Sequence, residues 1–198
     1  VDAAADAPAL NVPFSHQETL TTDRLLLRPF RFADRDCLAR LQRSPGLARY
    51  LLWEPPDDEE LDRRLEEKVH ATLLVIKGDR LCVAIERIGQ PGLIGEASLV
   101  IESVDDACLE VGYIVHPDVA GQGIAREAVR ALVDLAFTML HAHRVIGRID
   151  ARNKASAKVL TALGMRQESH CHSDQFVKGE WTDEVLFAQL RSEWTVQR

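Results

Sequence analysis

Leu109-Glu110-Val111-Gly112-Tyr113-Ile114-Val115-His116-Pro117-Asp118-Val119-Ala120-Gly121-Gln122-Gly123-Ile124-Ala125 is the stretch on which the rest of the chain turns. Its first eight residues are almost continuously apolar, the pattern of a strand buried on both faces, and Pro117 stops it. Two glycines follow. From Ile124 the apolar residues Ala128, Leu132, Leu135 and Met139 keep helical spacing, while Arg126, Glu127, Arg130 and Asp134 occupy the other side. Strand, glycine turn and helix N-terminus, in that order, make a seat for a phosphate. The N–H groups of the first turn have no helical acceptor, the dipole is positive there, and glycine lets the backbone approach an anion without a Cβ in between. The same spacing also serves as a plain strand-to-helix connection, and two glycines alone do not separate the readings.

Toward the C-terminus, residues 144–151 read as another strand. Asn153 then opens a short helix over 154–163, and Gly164 is placed to end it in the left-handed conformation. Residues 167–177 and 181–190 form a hairpin pattern around Lys178-Gly179-Glu180. Toward the N-terminus, 80–88 and 93–104 are strands joined at Gly89-Gln90-Pro91-Gly92. A helix follows Pro55-Pro56-Asp57-Asp58 through Leu61, Leu65 and Val69, and a shorter one over 33–43 carries Leu38 and Leu41 and stops at Ser44-Pro45-Gly46. Arg24 to Arg28 gives a first strand ended by Pro29. Residues 1–18 are rich in Ala, Asp and Pro without periodicity and are expected to be a flexible tail; residues 19–198 are expected to be one domain of mixed α/β (α+β) class.

With 198 residues and 46% hydrophobic content the chain can bury a real core. A net charge of -7 without a Lys/Arg run argues against a nucleic-acid partner and is compatible with a cationic acceptor such as an amine. No apolar run is long enough for a membrane span, and the acidic start lacks the basic region of a signal peptide, so a cytoplasmic protein is expected, with no membrane partner. Cys37, Cys82, Cys108 and Cys171 are too scattered for a zinc or disulfide framework and are expected to be free thiols. His170-Cys171-His172 with Asp174 resembles a ligand cluster, but strand alternation leaves only the two histidines on one face. No metal is therefore expected, and these residues are expected to line an acceptor side. Trp53, after Arg49-Tyr50-Leu51-Leu52, is read as core aromatic or cleft wall.

The two blocks 109–125 and 145–165 together resemble the GNAT superfamily of acyl-CoA-dependent N-acetyltransferases. Its pyrophosphate loop reads Arg/Gln-x-x-Gly-x-Gly/Ala; Gly123 and Ala125 match the last two fixed positions, and Ala120 stands where the Arg or Gln is expected. The RimJ/RimL-like branch is resembled over about Leu20 to Trp194, through Thr22-Asp23-Arg24-Leu25-Leu26-Leu27-Arg28-Pro29, Ala48 to Trp53, Gly112-Tyr113, Arg126-Glu127-Ala128, Asn153 to Ser156 and Leu190-Arg191-Ser192-Glu193-Trp194. This resemblance implies the GNAT fold: a mixed, mostly antiparallel seven-stranded sheet flanked by helices and splayed between its fourth and fifth strands, 109–116 and 144–151. It implies acetyl-CoA as cosubstrate, with the backbone of Tyr113, Ile114 and Val115 pairing with the pantetheine arm. The amides of Gly121, Gln122, Gly123, Ile124, Ala125 and Arg126 would hold the pyrophosphate, and an N–H near Ile114 or Val115 would meet the oxyanion.

By the same resemblance Glu110 matches a general base, the competing reading being a strand-end Glu paired with a basic neighbour. His116 is a second candidate base with a structural role at the strand end. Many family members carry a Tyr where this chain has Leu160, and the branch instead places a Ser at Ser156, to which thiolate protonation is assigned. Asn153 is read as helix cap and pantetheine contact. The implied reaction is acetyl transfer to a primary amine, foremost a protein N-terminal α-amine. A small amine of antibiotic or polyamine type, or a non-catalytic acyl-CoA-binding module, are the alternatives. A homodimer is implied at family level.

Overall fold

The computed structural model describes residues 9–51 and 53–194. In chain order the elements are β1 (Phe14–Ser15), β2 (Leu20–Thr21), β3 (Leu25–Arg28), α1 (Arg35–Gln42), α2 (Pro45–Ala48), α3 (Asp58–His70), β4 (Leu73–Leu74), β5 (Arg80–Arg87), β6 (Gln90–Ser103), β7 (Cys108–Val115), α4 (Ile124–Thr138), β8 (Arg144–Asp150), α5 (Lys154–Ala162), β9 (Arg166–Val177) and β10 (Glu180–Leu190). The main sheet has the order β2-β3-β5-β6-β7-β8-β10-β9, and β1 pairs with β4 separately. All its neighbours are antiparallel except β7 and β8. The sheet holds eight strands where seven were expected, because the two-residue β2 adds an edge that no periodicity could announce.

Alternation along the strands divides the core. Leu27, Val83, Leu99, Leu109 and Val111 face Ile124, Leu132 and Ala136 of α4, whereas Leu38, Leu41, Leu61 and Leu65 of α1 and α3 cover Phe30, Cys82 and Ala84 on the other face. The helix ends follow their chemistry. Asp57 caps α3 by accepting from Glu60 N at 2.9 Å, three acidic residues fill its first turn, and Lys68 and His70 sit in its last. Gly164 ends α5 at φ +86°, with Met165 N donating to Leu160 O at 3.1 Å. The four cysteines are free thiols. Ser44-Pro45-Gly46 does stop α1, and Pro45 then begins a one-turn helix of its own.

The tail expectation needs correction for residues 9–18; residues 1–8 and Leu52 lie outside the described residues. Leu10 is buried in the core, Asn11 N donates to Leu140 O at 2.8 Å beyond the end of α4, and Phe14–Ser15 pairs with Leu73–Leu74. A few apolar side chains spaced without period suffice when each has a prepared site. No helix among the described residues is long and apolar enough to cross a membrane.

Candidate active site at the splayed strand

The site begins where β7 loses one neighbour. It pairs with β6 along its whole length, but with β8 only from Cys108–Arg144 to Glu110–Ile146. Beyond that point β8 continues with β10 as far as Asp150–Glu184. N–H and C=O of alternate strand residues point the same way. Because His116 N donates to Ile94 O at 2.8 Å, Ile114 and Gly112 also face β6, and the amides and carbonyls of Tyr113 and Val115 face the gap. Of the two residues expected to offer an oxyanion donor, Val115 therefore points into the gap and Ile114 away from it.

At the mouth of the gap lies the glycine turn. Gly121 and Gly123 have φ of +75° and +78°, and Gly123 is the left-handed cap from which α4 starts. Among the described residues, none of the backbone N–H groups of Gly121, Gln122, Gly123, Ile124, Ala125 and Arg126 donates to an acceptor in the chain; the first helical bond is Glu127 N to Gly123 O at 3.0 Å. These amides stand at the positive end of a fifteen-residue helix.

The turn is braced by residues that the sequence motifs did not connect. The Glu127 carboxylate accepts from Thr22 Oγ1 at 2.6 Å, Arg24 N at 2.9 Å and Arg24 Nε at 2.7 Å, and Arg24 Nη1 donates to Gln122 O at 3.1 Å. Gln122 also meets Arg87 through its side-chain oxygen and donates from Nε2 to Asp118 O at 3.0 Å. Burial pulls the Glu127 carboxyl upward, but the bonds from Thr22 and Arg24 outweigh it and hold the group below its ordinary range. The one hint in the sequence was an opposite pair of charges in two blocks about a hundred residues apart.

On the helix side of the gap, Asn153 Oδ1 accepts from Ser156 N at 3.0 Å, so Asn153 is the cap of α5. Tyr113 O–H donates to Ser156 O at 3.2 Å, and burial pushes this phenol up to about 12, which keeps it a donor. Leu160 is fully buried against Gly147, where a Cβ would stand 3.2 and 3.3 Å from its methyl groups. That position packs the sheet and presents nothing to the gap. On the other face, Glu110 pairs with Arg148, which also meets Glu102 at 3.0 Å and Glu184 at 3.8 Å. Glu110 thus has a basic partner, yet burial raises its carboxyl above the usual range despite Arg148. Glu110 and Ser156 flank the gap from opposite faces of the sheet, since Tyr113, which holds Ser156, alternates with Glu110.

His116 does sit at the strand end, its Nδ1 accepting from Asp118 N at 3.3 Å. It borders a surface cleft of about 500 Å³ with Ala39, Arg40, Arg43, Ser44 and Pro45. Trp53 is half-buried, with the Arg64 guanidinium 4.5 Å above its ring centroid. His170 opposes Val185, a residue of the α4-side core, so His170 lies on the face opposite Glu110. Asp183, not Asp174, joins the two histidines.

A family described as "Acetyltransferase (GNAT) domain" matches residues 24–166. The chain is 29% identical to the [Ribosomal protein uS5]-alanine N-acetyltransferase of Escherichia coli over 95% of this chain and 97% of that one. It is 27% identical to the uncharacterized N-acetyltransferase p20 of Bacillus licheniformis over 89% of this chain and 98% of the other. A crystal structure of a GNAT-family acetyltransferase from Bacillus anthracis superposes with a TM-score of 0.79 at 22% identity, covering 89% of this chain and all of that one, which shows the shared fold. With the splayed sheet, the glycine turn and these matches together, the chain belongs to the GNAT family of acetyl-CoA-dependent N-acetyltransferases.

Proposed function

We propose that this enzyme acetylates the N-terminal α-amine of a protein by direct attack on the thioester of acetyl-CoA. The observation that carries the reading is the run of uncommitted amides from Gly121 to Arg126 at the start of α4, continuous with the open edge of Tyr113 and Val115. The amides bind the diphosphate, and the strand edge pairs with the pantetheine amides and lays the thioester along β7. The N–H of Val115 meets the carbonyl oxygen as it becomes an oxyanion. Glu110 takes a proton from the attacking amine, a new C–N bond forms as the C–S bond breaks, and Ser156 Oγ gives a proton to the departing thiolate and regains one from solvent. Asn153 fixes the start of α5 and so the place of Ser156. A protein acceptor is supported by the near full-length similarity to the uS5-alanine enzyme.

A second acceptor class, a small polyamine, is favoured by one feature: Glu102, Glu110 and Glu184 share the single cation of Arg148 on the open face, which leaves carboxylate in excess for ammonium groups. Release of CoA thiol over a panel of short peptides and polyamines separates the two. Peptides with a free α-amine should turn over with the higher kcat/KM. Preference for spermidine would replace the first acceptor by the second. Failure of acetyl-CoA to raise Tm would remove both, since a ligand of the folded state must stabilise it.

A further inference from the structure

We propose that His170, His172 and Asp183 form a binding site for a divalent transition-metal cation of the zinc class, with His170 Nε2, His172 Nδ1 and one carboxylate oxygen as ligands and the fourth position open to solvent. The site is made by an irregularity in the β9–β10 hairpin. Pairing runs through Cys171–Glu184, breaks, and resumes at Gln175–Thr182, so that His172, Ser173 and Asp174 stand opposite the single residue Asp183. Ser173 takes φ +49° in this bulge. Simple alternation would leave two histidines on one strand without a third partner; the bulge delivers Asp183 from the neighbouring strand.

The three ligand atoms lie within 4.8 Å of one another, and Asp183 Oδ2 is 2.9 Å from both ring nitrogens. The ring centroids are 4.3 Å apart. In a tetrahedral zinc site with bonds of about 2.0–2.1 Å, neighbouring ligand atoms are separated by roughly 3.3 Å. Each contact to Asp183 thus needs to open by about 0.4 Å, and the two ring nitrogens, within 4.8 Å of each other, to close by up to about 1.5 Å, through side-chain torsions. The second carboxylate oxygen is already engaged, accepting from Ser173 N at 2.9 Å, the kind of outer hydrogen bond that orients a ligating carboxylate. His172 is 77% exposed and leaves a path for entry. Cys171 opposes Glu184 on the other face, so the donor set is nitrogen and oxygen without thiolate.

A cation held here would cross-link β9 to β10 at the residue whose carbonyl accepts from Ala151 N at 3.0 Å, two residues before the Asn153 cap. It would thereby tie the hairpin to the end of β8. The site stands on the hairpin geometry and is independent of which amine the enzyme acetylates. Titration of the whole chain with Co2+, followed by its visible ligand-field absorption, and with Zn2+ by competition tests it. One equivalent should bind saturably. His172→Ala, a change at an exposed ring that leaves the fold intact, should weaken binding by about tenfold or more, since a ligand matters at least as much as the outer partners worth 10–100-fold. Cys171→Ser should leave it unchanged. Absence of saturable binding, binding that survives His172→Ala at full strength, or loss of binding in Cys171→Ser would each overturn the proposal.

Discussion

Replacing Glu127 by Gln tests whether the brace behind the glycine turn serves coenzyme binding or only folding. The substitution keeps the shape of the side chain but removes its charge and turns an NH2 group toward the Arg24 guanidinium, where Nε now donates at 2.7 Å and Nη2 sits at 2.6 Å. Bonds to Thr22 and to Arg24 N can persist on the remaining oxygen. A hydrogen bond to a charged partner contributes roughly 1.5–3 kcal/mol, but Arg24 is half-exposed, so screening brings the expected loss to about 1–2 kcal/mol. For a domain of this size that lowers Tm by roughly 2–8 °C. Arg24 also holds Gln122 O, so the turn loosens with it, and the acetyl-CoA Kd should rise about 5–30-fold, the equivalent of the same energy. The carboxyl of Glu127 is held below its ordinary value, so its stabilisation is present above the unfolded carboxylate range and is lost as pH falls through the folded pKa; the Tm difference between wild type and variant should close in acid. Calorimetric melts across pH and titration with acetyl-CoA supply both readings. A lower Tm with Kd unchanged within twofold would show that the brace holds the fold and not the turn, and no change in either would refute the reasoning outright.

Three further outcomes follow from the same geometry. Glu110→Gln should lower kcat by about a hundredfold or more and abolish the acid limb of the pH–rate profile. In the wild type that limb should lie above the usual carboxylate range, because burial raises Glu110 and a base must lose its proton to act. Asp34→Ala leaves the buried Arg28 guanidinium, 5% exposed, with Glu86 as its one remaining carboxylate, and should cost about 3–5 kcal/mol in urea unfolding. Gly123→Ala forces an L-residue to φ +78° with its Cβ 3.3 Å from Arg24 Nη2, and should lose roughly 1–2 kcal/mol in stability while weakening acetyl-CoA more than the melt alone implies.

Periodicity made the long elements legible. The expected strand over 80–88 is β5 at Arg80–Arg87, the helix from Ile124 is α4, and Gly164 ends α5 as its position implied. Elements of two residues were not legible, because β1, β2 and β4 have no period and exist through the strands they meet. The same limit hid Leu10, whose burial depends on a core assembled from the rest of the chain. At the site, local motifs located the turn, the cap at Asn153 and the strand Tyr113–Val115, since each is set by neighbours in sequence. The Thr22–Arg24–Glu127 brace and the joining of Asp183 to His170 and His172 were hidden for the opposite reason: they close over long sequence separations or through a bulge that breaks the alternation rule on which the reading relied.

The gap itself has a packing cause, and it explains why Leu160 stands where many family members carry a tyrosine. With glycine at 147, β8 lets α5 settle close enough for Leu160 to occupy the space a side chain would fill, and this helix is then held to β7 by the bond from Tyr113 O–H to Ser156 O. β8 keeps its full pairing with β10, and β7 keeps its full pairing with β6, so the separation beyond Glu110 and Ile146 opens without giving up the outer ladders. A hydroxyl at position 160 would lie buried in apolar surroundings and demand a partner. Leucine avoids that demand, so position 160 offers the gap no proton donor. In the proposed mechanism the donor is then Ser156, half-buried one turn into α5, with its backbone fixed at N–H by Asn153 and at C=O by Tyr113, the contact that ties the helix to β7.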